Sequence, residues 1–215
     1  MASPDILACV DHLVYATADL DKGIAEIERL LGVRPSPGGR HPQWGTRNAL
    51  IALGPNSYLE IIAPDSSPIS IERPFGLDTQ GPSRLVTWAA SRSELANVRA
   101  TAGQRGIKLG NVLSGSRTRP DGVVLTWELT DLRCVVADGI VPFLIDWGTS
   151  PHPAATAPKG ARLLNLRAEH PDADRIRRML QALSLGLQVH PGPAPALIAE
   201  IDCPNGHLVL GQARS

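Results

Sequence analysis

Short apolar segments alternate with helical patterns along this chain, and the order strand, helix, strands recurs three times. In the first copy, residues 9–16 have the pattern of a strand, and residues 20–31 carry apolar side chains at helical spacing. Thr17 or Asp19 can cap this helix, and Gly32 ends it. The repeated order predicts an α+β protein built from similar units that pack together.

The remaining elements follow from the same patterns and from the turn residues between them. A loop is predicted over residues 34–45, a turn at residues 119–122, and a linker or surface loop over residues 148–160. Ser91 or Ser93 can cap the second helix. The predicted helices are 93–105 and 172–183, and the predicted strands are 46–53, 58–63, 84–90, 108–116, 123–130, 141–147, 161–167, 187–190, 197–202 and 207–210.

Composition and charge argue against some classes of protein. Hydrophobic residues make up 43% of the 215 positions, enough for a normal core, and 21 basic residues balance 21 acidic ones. A net charge of zero argues against nucleic acid or an acidic membrane surface as the main partner. The chain lacks an apolar run long enough to cross a bilayer, and its N-terminus does not have the pattern of a signal peptide.

Cysteine usage indicates the compartment. Cys9, Cys134 and Cys203 are an odd number with no close spacing, which predicts buried free thiols rather than a disulfide framework or a zinc cluster. Together with the missing signal peptide, this pattern predicts a cytoplasmic protein.

His12 and Glu60 are the main candidates for chemistry, because each lies in a short apolar strand pattern of the first copy. If their strands share one curved sheet, the imidazole nitrogen and the carboxylate oxygen can converge on one point. Zinc, nickel, manganese and iron accept such mixed nitrogen and oxygen ligation. The alternative is an ordinary core histidine hydrogen-bonded to a glutamate, and the residues alone leave both interpretations open.

Polar groups also accumulate between Gly38 and Asn48. The paired glycines let the backbone approach a ligand closely, and His41 can donate, accept or ligate. Thr46 and Asn48 stand at the start of the next predicted strand, where Asn48 can face inward. The same residues are equally compatible with a flexible connector that carries no function.

The second copy offers one carboxylate and several tryptophans. Asp146 lies in an apolar strand pattern, so it is a metal ligand, a general base or a strand-end residue that faces water. Trp88, Trp127 and Trp147 can line an apolar pocket, although core packing explains them equally well. The chain has no Gly-x-Gly-x-x-Gly, no His-Glu-x-x-His and no Gly-x-Ser-x-Gly, so nucleotide-dependent transfer and serine hydrolysis have no motif support.

An ordered series of short segments stands out in the first third of the chain. The segments are Asp11-His12-Leu13-Val14-Tyr15, Asp19-Leu20-Asp21, Leu31-Gly32-Val33, Gly38-Gly39-Arg40-His41, Gly45-Thr46-Arg47-Asn48 and Tyr58-Leu59-Glu60-Ile61-Ile62. This series resembles the glyoxalase-like branch of the vicinal oxygen chelate superfamily. Residues 142–147 and the strand–helix–strand order extend the resemblance loosely to the second copy.

The resemblance implies an α+β fold of repeated βαβββ modules whose curled mixed sheets enclose a cavity. Residues 1–66 would form the first module, residues 67–148 a second, βαβββ-like module, and residues 149–215 a third, partial βαββ unit packed on the others. The resemblance also implies that His12 and Glu60 occupy the ligand positions of the first module. In the second module, Trp88 or a neighbour would occupy the position where His is common, and Leu144 or Asp146 the position where Glu is common.

Two functions follow from this resemblance. In the first, a divalent metal ion on His12 and Glu60 chelates two oxygens of a small organic molecule in a lyase, isomerase or dioxygenase reaction, and His41 or Asp146 transfers protons. In the second, a metal-free protein of the antibiotic-sequestering type uses the same cavity. Both functions imply a small-molecule partner, no nucleic acid and a monomer or homodimer. The expected substrate-binding residues are Thr46, Asn48, Trp88, Trp127 and Trp147.

Overall fold

The computed structural model describes residues 5–66, 72–79, 81–118 and 122–211. Within these ranges the order strand, helix, three strands occurs three times. The strands are β1 (Val10–Ala16), β2 (Ser36–His41), β3 (Thr46–Gly54), β4 (Ser57–Pro64), β5 (Arg84–Ser91), β6 (Val112–Thr118), β7 (Val124–Thr130), β8 (Phe143–Asp146), β9 (Arg162–His170), β10 (Gln188–Pro191), β11 (Ala196–Cys203) and β12 (Gly206–Leu210), and the helices are α1 (Leu20–Leu31), α2 (Leu95–Gln104) and α3 (Ala173–Ala182).

The first eight strands form one strongly curled sheet in the order β2-β3-β4-β1-β5-β8-β7-β6. Strands β2 and β6 stand at opposite ends of this order, yet Arg117 of β6 donates a hydrogen bond from Nη1 to the carbonyl oxygen of Gly38 in β2. The sheet therefore curls until its two edges almost meet, and its inner face encloses a cavity. This arrangement confirms the predicted α+β fold with a curled mixed sheet.

Strand pairing places the first and last strands of each unit side by side. Strand β1 pairs in parallel with β4, and β5 pairs in parallel with β8. Strands β1 and β5 pair antiparallel and join the two units. Inward-facing side chains of β1 and β4 are therefore neighbours, which is the geometry on which the His12–Glu60 prediction depends.

Helix α1 forms where the sequence predicts it. The Asp19 side chain accepts hydrogen bonds from the backbone N–H groups of Asp21 and Lys22, and Gly32 ends the helix with a φ of 73°. The helix buries Ile24, Ile27 and Leu31 against the outer face of the sheet, in a core shared with β3 and β4.

The third unit forms its own four-stranded sheet in the order β10-β9-β11-β12. Its helix α3 begins at the predicted place, where the Asp172 side chain accepts a hydrogen bond from the N–H of Arg175. Hydrogen bonds from side chains to carbonyl groups near helix ends help to connect this unit to the other two. Asn205 Nδ2 donates to the carbonyl oxygen of Arg29 at 3.0 Å, and Arg105 Nη1 donates to that of Ala182 at 2.8 Å.

Some local predictions are wrong. The loop expected over residues 34–45 contains strand β2, which the sequence hides because Pro37 and paired glycines have low strand propensity. An edge strand tolerates proline, and the pairing of β2 with β3 shifts register between Pro37 and Gly39. Helix α2 begins later than predicted, at Leu95. The residue before it, Glu94, has a left-handed backbone conformation and makes no side-chain capping hydrogen bond, so neither predicted serine caps the helix. The turn predicted at 119–122 falls largely outside the described residues.

Residues 148–160 are not a free linker, because they pack against side chains of β3 and β4 that share the face of the cavity residues. The N–H of Ala52 donates to the carbonyl oxygen of Pro158 at 2.9 Å, and the N–H of Thr126 donates to Ser150 Oγ at 2.9 Å. Ala154 and Ala157 are buried in a small cluster with Tyr58. The segment therefore closes one end of the curled sheet.

The three cysteines are unpaired, as predicted, but they are not buried. Cys134 is exposed, and Cys9 and Cys203 are half-buried. In the described part of the chain, the helices are all too short or too polar to cross a membrane.

Two helical glycines should respond in opposite ways to replacement by alanine. A Cβ at Gly23 of α1 would lie 2.7 Å from a methyl carbon of Thr17 and 2.9 Å from one of Ile61, whereas a Cβ at Gly103 of α2 meets nothing within 4 Å. We expect Gly23→Ala to lower the free energy of unfolding by about 1–3 kcal/mol through overpacking. Gly103→Ala should raise it by up to about 1 kcal/mol through helix propensity. Urea unfolding of both variants checks this, and a gain at Gly23 would contradict the close packing of α1.

Candidate functional site

The curled sheet encloses a small cavity of about 40 Å³. Polar side chains reach it from five strands, and aromatic rings form much of the rest of its wall. The polar residues are His12, His41, Asn48, Tyr58, Glu60 and Arg117, and the aromatic ones are Trp44, Phe75, Trp127, Phe143 and Trp147.

The structure brings His12 and Glu60 together in this cavity. Both side chains are buried, with exposed fractions of 4% and 7%. His12 Nε2 lies 3.8 Å from Glu60 Oε2. That separation exceeds a hydrogen bond, so the two groups face each other across a gap.

Asp11 fixes the orientation of His12, a role that no local pattern in the sequence indicates. Its buried carboxylate accepts hydrogen bonds from His12 Nδ1 at 2.7 Å, Trp147 Nε1 at 3.0 Å and His152 Nε2 at 3.3 Å. Burial opposes ionisation of this carboxyl, but the hydrogen bonds and charges of His12 and His152 outweigh it and lower the pKa of Asp11. Because Asp11 bonds to Nδ1 of His12, the other ring nitrogen, Nε2, is the one that faces Glu60.

A β-bulge explains why two neighbouring residues can act together here. In the β1–β5 pairing, Val10 lies opposite Ala90 and His12 lies opposite Ala89, so Asp11 is the extra residue. A bulge re-aims the side chain of the extra residue. The side chains of Asp11 and His12 therefore meet instead of pointing to opposite faces of the sheet.

Asn48 holds the other ligand candidate. Its Nδ2 donates to Glu60 Oε1 at 2.5 Å, across the β3–β4 pairing. Its buried Oδ1 lacks a hydrogen-bond partner among the described residues. Asn48 lines the same cavity, which agrees with the prediction that it faces inward, and its Oδ1 lies beside Gly38.

His41 lies deep in the cavity wall. Its Nδ1 is 3.1 Å from Thr46 Oγ1, and its ring packs edge-on against those of Trp44 and Trp127. Burial lowers the pKa of His41 to about 4, with the Glu60 charge opposing the shift and the Arg117 charge adding to it. His41 is therefore uncharged at neutral pH. Thr46 is fully buried beside it and supports the histidine rather than bordering the cavity.

Arg117 and Tyr58 are further cavity residues that the sequence analysis did not select. Arg117 is 7% exposed and brings a buried positive charge from the second unit. The ring of Tyr58 stacks on that of His12, with centroids 4.6 Å apart, and burial raises the pKa of Tyr58 well above its ordinary value. Tyr58 and Glu60 stand two positions apart in β4, so strand alternation predicts that Tyr58 faces the same side of the sheet as Glu60.

The structure places Trp88 and Asp146 away from the cavity. Strand alternation turns Ala89 inward, so Trp88 faces the core outside the sheet, where its Nε1 donates to the carbonyl oxygen of Ile140 at 2.9 Å. Asp146 ends β8 and accepts a hydrogen bond from the N–H of Gly148 at 2.8 Å. Trp127 and Trp147 do line the cavity.

Within the described ranges, His12 and Glu60 are not joined by a third His, Cys, Asp or Glu that would complete a metal-holding group of three.

Comparisons with known proteins agree with this architecture. The model of the family described as "Glyoxalase-like domain" matches residues 10–184. A hypothetical protein from Staphylococcus aureus superposes with a TM-score of 0.63 at 13% identity, covering 95% of this chain and 86% of that one. A mutant of 4-hydroxymandelate synthase from Streptomyces coelicolor gives a TM-score of 0.52 at 13% identity, covering 95% of this chain and 63% of that one.

A methylmalonyl-CoA epimerase from Mycobacterium tuberculosis is 22% identical, with a TM-score of 0.46, and the match covers 73% of this chain and 97% of that one. A search of curated protein sequences finds no match to this chain. The two superpositions with the higher TM-scores show that the curled-sheet fold is shared.

The low pKa of His41 predicts a pH dependence of stability. A histidine with a pKa near 6.5 when unfolded and about 4 when folded stabilises the protein above pH 6.5, and this stabilisation is lost as the pH falls towards 4. The loss should amount to about 3 kcal/mol. Urea unfolding in the presence of a chelator, between pH 4 and pH 8, measures it. His41→Gln should flatten the curve over this window, and an identical pH dependence in both proteins would contradict the assignment.

The buried carboxylate of Asp11 should be far more important for stability than a surface one. We expect Asp11→Asn to lower the free energy of unfolding by about 2–4 kcal/mol, because an amide offers a single acceptor oxygen to three donors. Asp202→Asn is the matched control, since Asp202 pairs with Arg162 at 3.3 Å on the surface. This substitution should change the free energy of unfolding by no more than about 0.5 kcal/mol. Equal effects of the two variants in thermal or urea unfolding would refute the role given to Asp11.

Proposed function

Because this chain belongs to the family of glyoxalase-like domain proteins in the vicinal oxygen chelate superfamily, we propose that it is a divalent-metal-dependent enzyme acting on a small oxygen-bearing organic molecule. The observation that supports this proposal is the gap of 3.8 Å between His12 Nε2 and Glu60 Oε2. A buried imidazole lone pair and a buried carboxylate that face each other without bonding form a pair of ligands for one cation.

The donor set fits a mixed nitrogen and oxygen site. The carboxylate of Asp11 on His12 Nδ1 is the outer partner that metal-bound histidines usually have. Asn48 lines the cavity, and its Oδ1, which lacks a partner among the described residues, would be a further oxygen donor. Zinc, nickel, manganese or iron would use these groups, and substrate oxygens and water would fill the remaining positions.

When bound, the metal would act as a Lewis acid that polarises two adjacent oxygens of the substrate. The chain's own residues would do the rest. Arg117 places a buried positive charge beside these oxygens and favours an anionic substrate, and Asp11 keeps His12 in the ligating tautomer. His41, uncharged at neutral pH, can exchange a hydrogen bond or a proton with the substrate, and Trp127 and Trp147 exclude water.

A metal-free binding protein of the antibiotic-sequestering type is the second candidate. The observation in its favour is Arg117, whose positive charge in the same low-dielectric cavity opposes a second cation. In this function, His12 and Glu60 would bind polar groups of the ligand directly, and the aromatic walls would supply the affinity.

Metal binding to the purified protein tests the first function. We expect the protein, freed of metal with a chelator, to bind one divalent ion per chain in calorimetry. His12→Ala and Glu60→Gln should each weaken binding at least about 100-fold, because each removes one of the two principal donors. His207→Ala is a matched control, since His207 Nε2 also lies 3.8 Å from a glutamate oxygen, that of Glu200, but on the surface.

The outcome separates the two functions. Unchanged binding in His207→Ala and lost binding in the folded cavity variants support the enzyme. If none of zinc, nickel, manganese and iron binds to the folded protein, the metal-dependent function is wrong. Quenching of tryptophan fluorescence by small aromatic or anionic ligands, reduced in Trp127→Phe, would then support the binding protein.

A further inference from the structure

A second, much larger cavity borders the site. This cleft has a volume of about 790 Å³, against about 40 Å³ for the cavity at His12 and Glu60. It lies between α1, the first half of β5, the segment 132–141 and the edge of the third unit's sheet. Pockets for small organic ligands usually have volumes of about 300–1,000 Å³. The cleft is therefore large enough for most of a ligand, whereas the inner cavity has room only for a small reacting group.

The cleft and the inner cavity share part of their walls. Phe75, Leu132 and Phe143 line both. The rings of Phe75 and Phe143 have their centroids 6.2 Å apart, and Phe143 also packs edge-on against His12 with centroids 5.4 Å apart. A molecule lying in the cleft would thus be separated from His12 by one layer of side chains.

The lining of the cleft indicates what it binds. Val135 and Val209, with exposed fractions of 60% and 37%, are two of the four large exposed apolar side chains in the described part of the chain, and both border it. The charged residues on its wall balance, since Glu26 and Asp138 match Arg29 and Arg84. Such a surface favours an uncharged apolar group and gives no excess of positive charge for phosphates.

We infer that this cleft binds an uncharged apolar tail of the substrate whose reacting head enters the inner cavity at the wall that Phe75, Leu132 and Phe143 share. The identity of the head rests on the proposed function. The affinity of the cleft for the tail is independent of that function. Binding of the tail also gives the third unit a role, because Leu197 and Val209 of its sheet form one wall of the cleft. The substrate class is then an oxygen-bearing head, such as a 2-hydroxy acid, on an alkyl or acyl chain.

The first experiment locates the tail alone. n-Decanol is titrated into metal-free protein with ¹³C-labelled methyl groups. We expect the methyl signals of Val135, Val209 and Leu197 to shift, and those of Val124 to stay unchanged. Val124 is exposed to a similar extent, 58%, and does not border the cleft. Shifts confined to other methyl groups, or no shifts, would overturn the inference.

The second experiment tests whether the apolar tail increases the affinity of the protein for the oxygen-bearing head. Calorimetry compares glycolate with 2-hydroxydecanoate in the presence of Mn²⁺. We expect the longer acid to bind at least about tenfold more tightly, because each fully buried methylene contributes about fourfold. Val135→Trp, which fills the cleft, should remove this gain, and Val124→Trp should retain it.

The two proposals can fail separately. If His12→Ala abolishes glycolate binding but chain length has no effect, the cleft inference is wrong and the proposed function stands. If glycolate never binds but n-decanol still shifts the methyl signals of Val135 and Val209, the proposed head chemistry is wrong and the apolar cleft stands. A gain in affinity that requires a phosphate-bearing carrier, tested with decanoyl-CoA against decanoate, would also overturn the uncharged tail.

Discussion

One buried carboxylate organises the site. Asp11 is 1% exposed, and an isolated charge at that depth would be strongly destabilising. Three donors from separate parts of the chain surround it: His12 beside it in β1, Trp147 just after β8, and His152 in the segment that crosses β3 and β4. The fold of both units and the path of residues 148–160 are therefore tied to a single anion, and that anion sets the direction of the His12 ring.

The two units contribute different chemistry to the cavity. The first supplies the imidazole and carboxylate that face each other, with Asn48 holding the carboxylate in place. The second supplies Arg117 and most of the aromatic wall, and its inward positions on β5 and β8 are apolar, as Ala89 and Ile145 show. The proposed cation site would be confined to one unit and would face a positive charge from the other, which suits a substrate that brings its own negative oxygens.

Local patterns in the sequence were enough for the α+β class, most element positions and the pairing of His12 with Glu60, because helical spacing and strand alternation are local properties. They did not reveal β2, since its proline and glycines form a strand only when β3 pairs with them. They also missed Asp11, because alternation assigns it to the face opposite His12 and only a bulge brings the two together. His152 and Arg117 join the site through contacts more than 75 residues away along the chain, as in the 141-residue separation of His152 from Asp11, and no local pattern encodes such a contact. The sequence could not decide between the cavity and the core for Trp88, because the inward register of β5 depends on its pairing with β1.

The central claim is that His12 presents an unprotonated Nε2 to Glu60 because Asp11 holds the proton on Nδ1. Long-range ¹H–¹⁵N NMR of the imidazole in metal-free protein, near pH 8, reports this tautomer directly. The structure predicts that His12 carries its proton on Nδ1 and that Nε2 has the chemical shift of a nitrogen with a free lone pair. A proton found on Nε2 instead would contradict the geometry from which the proposed function is derived.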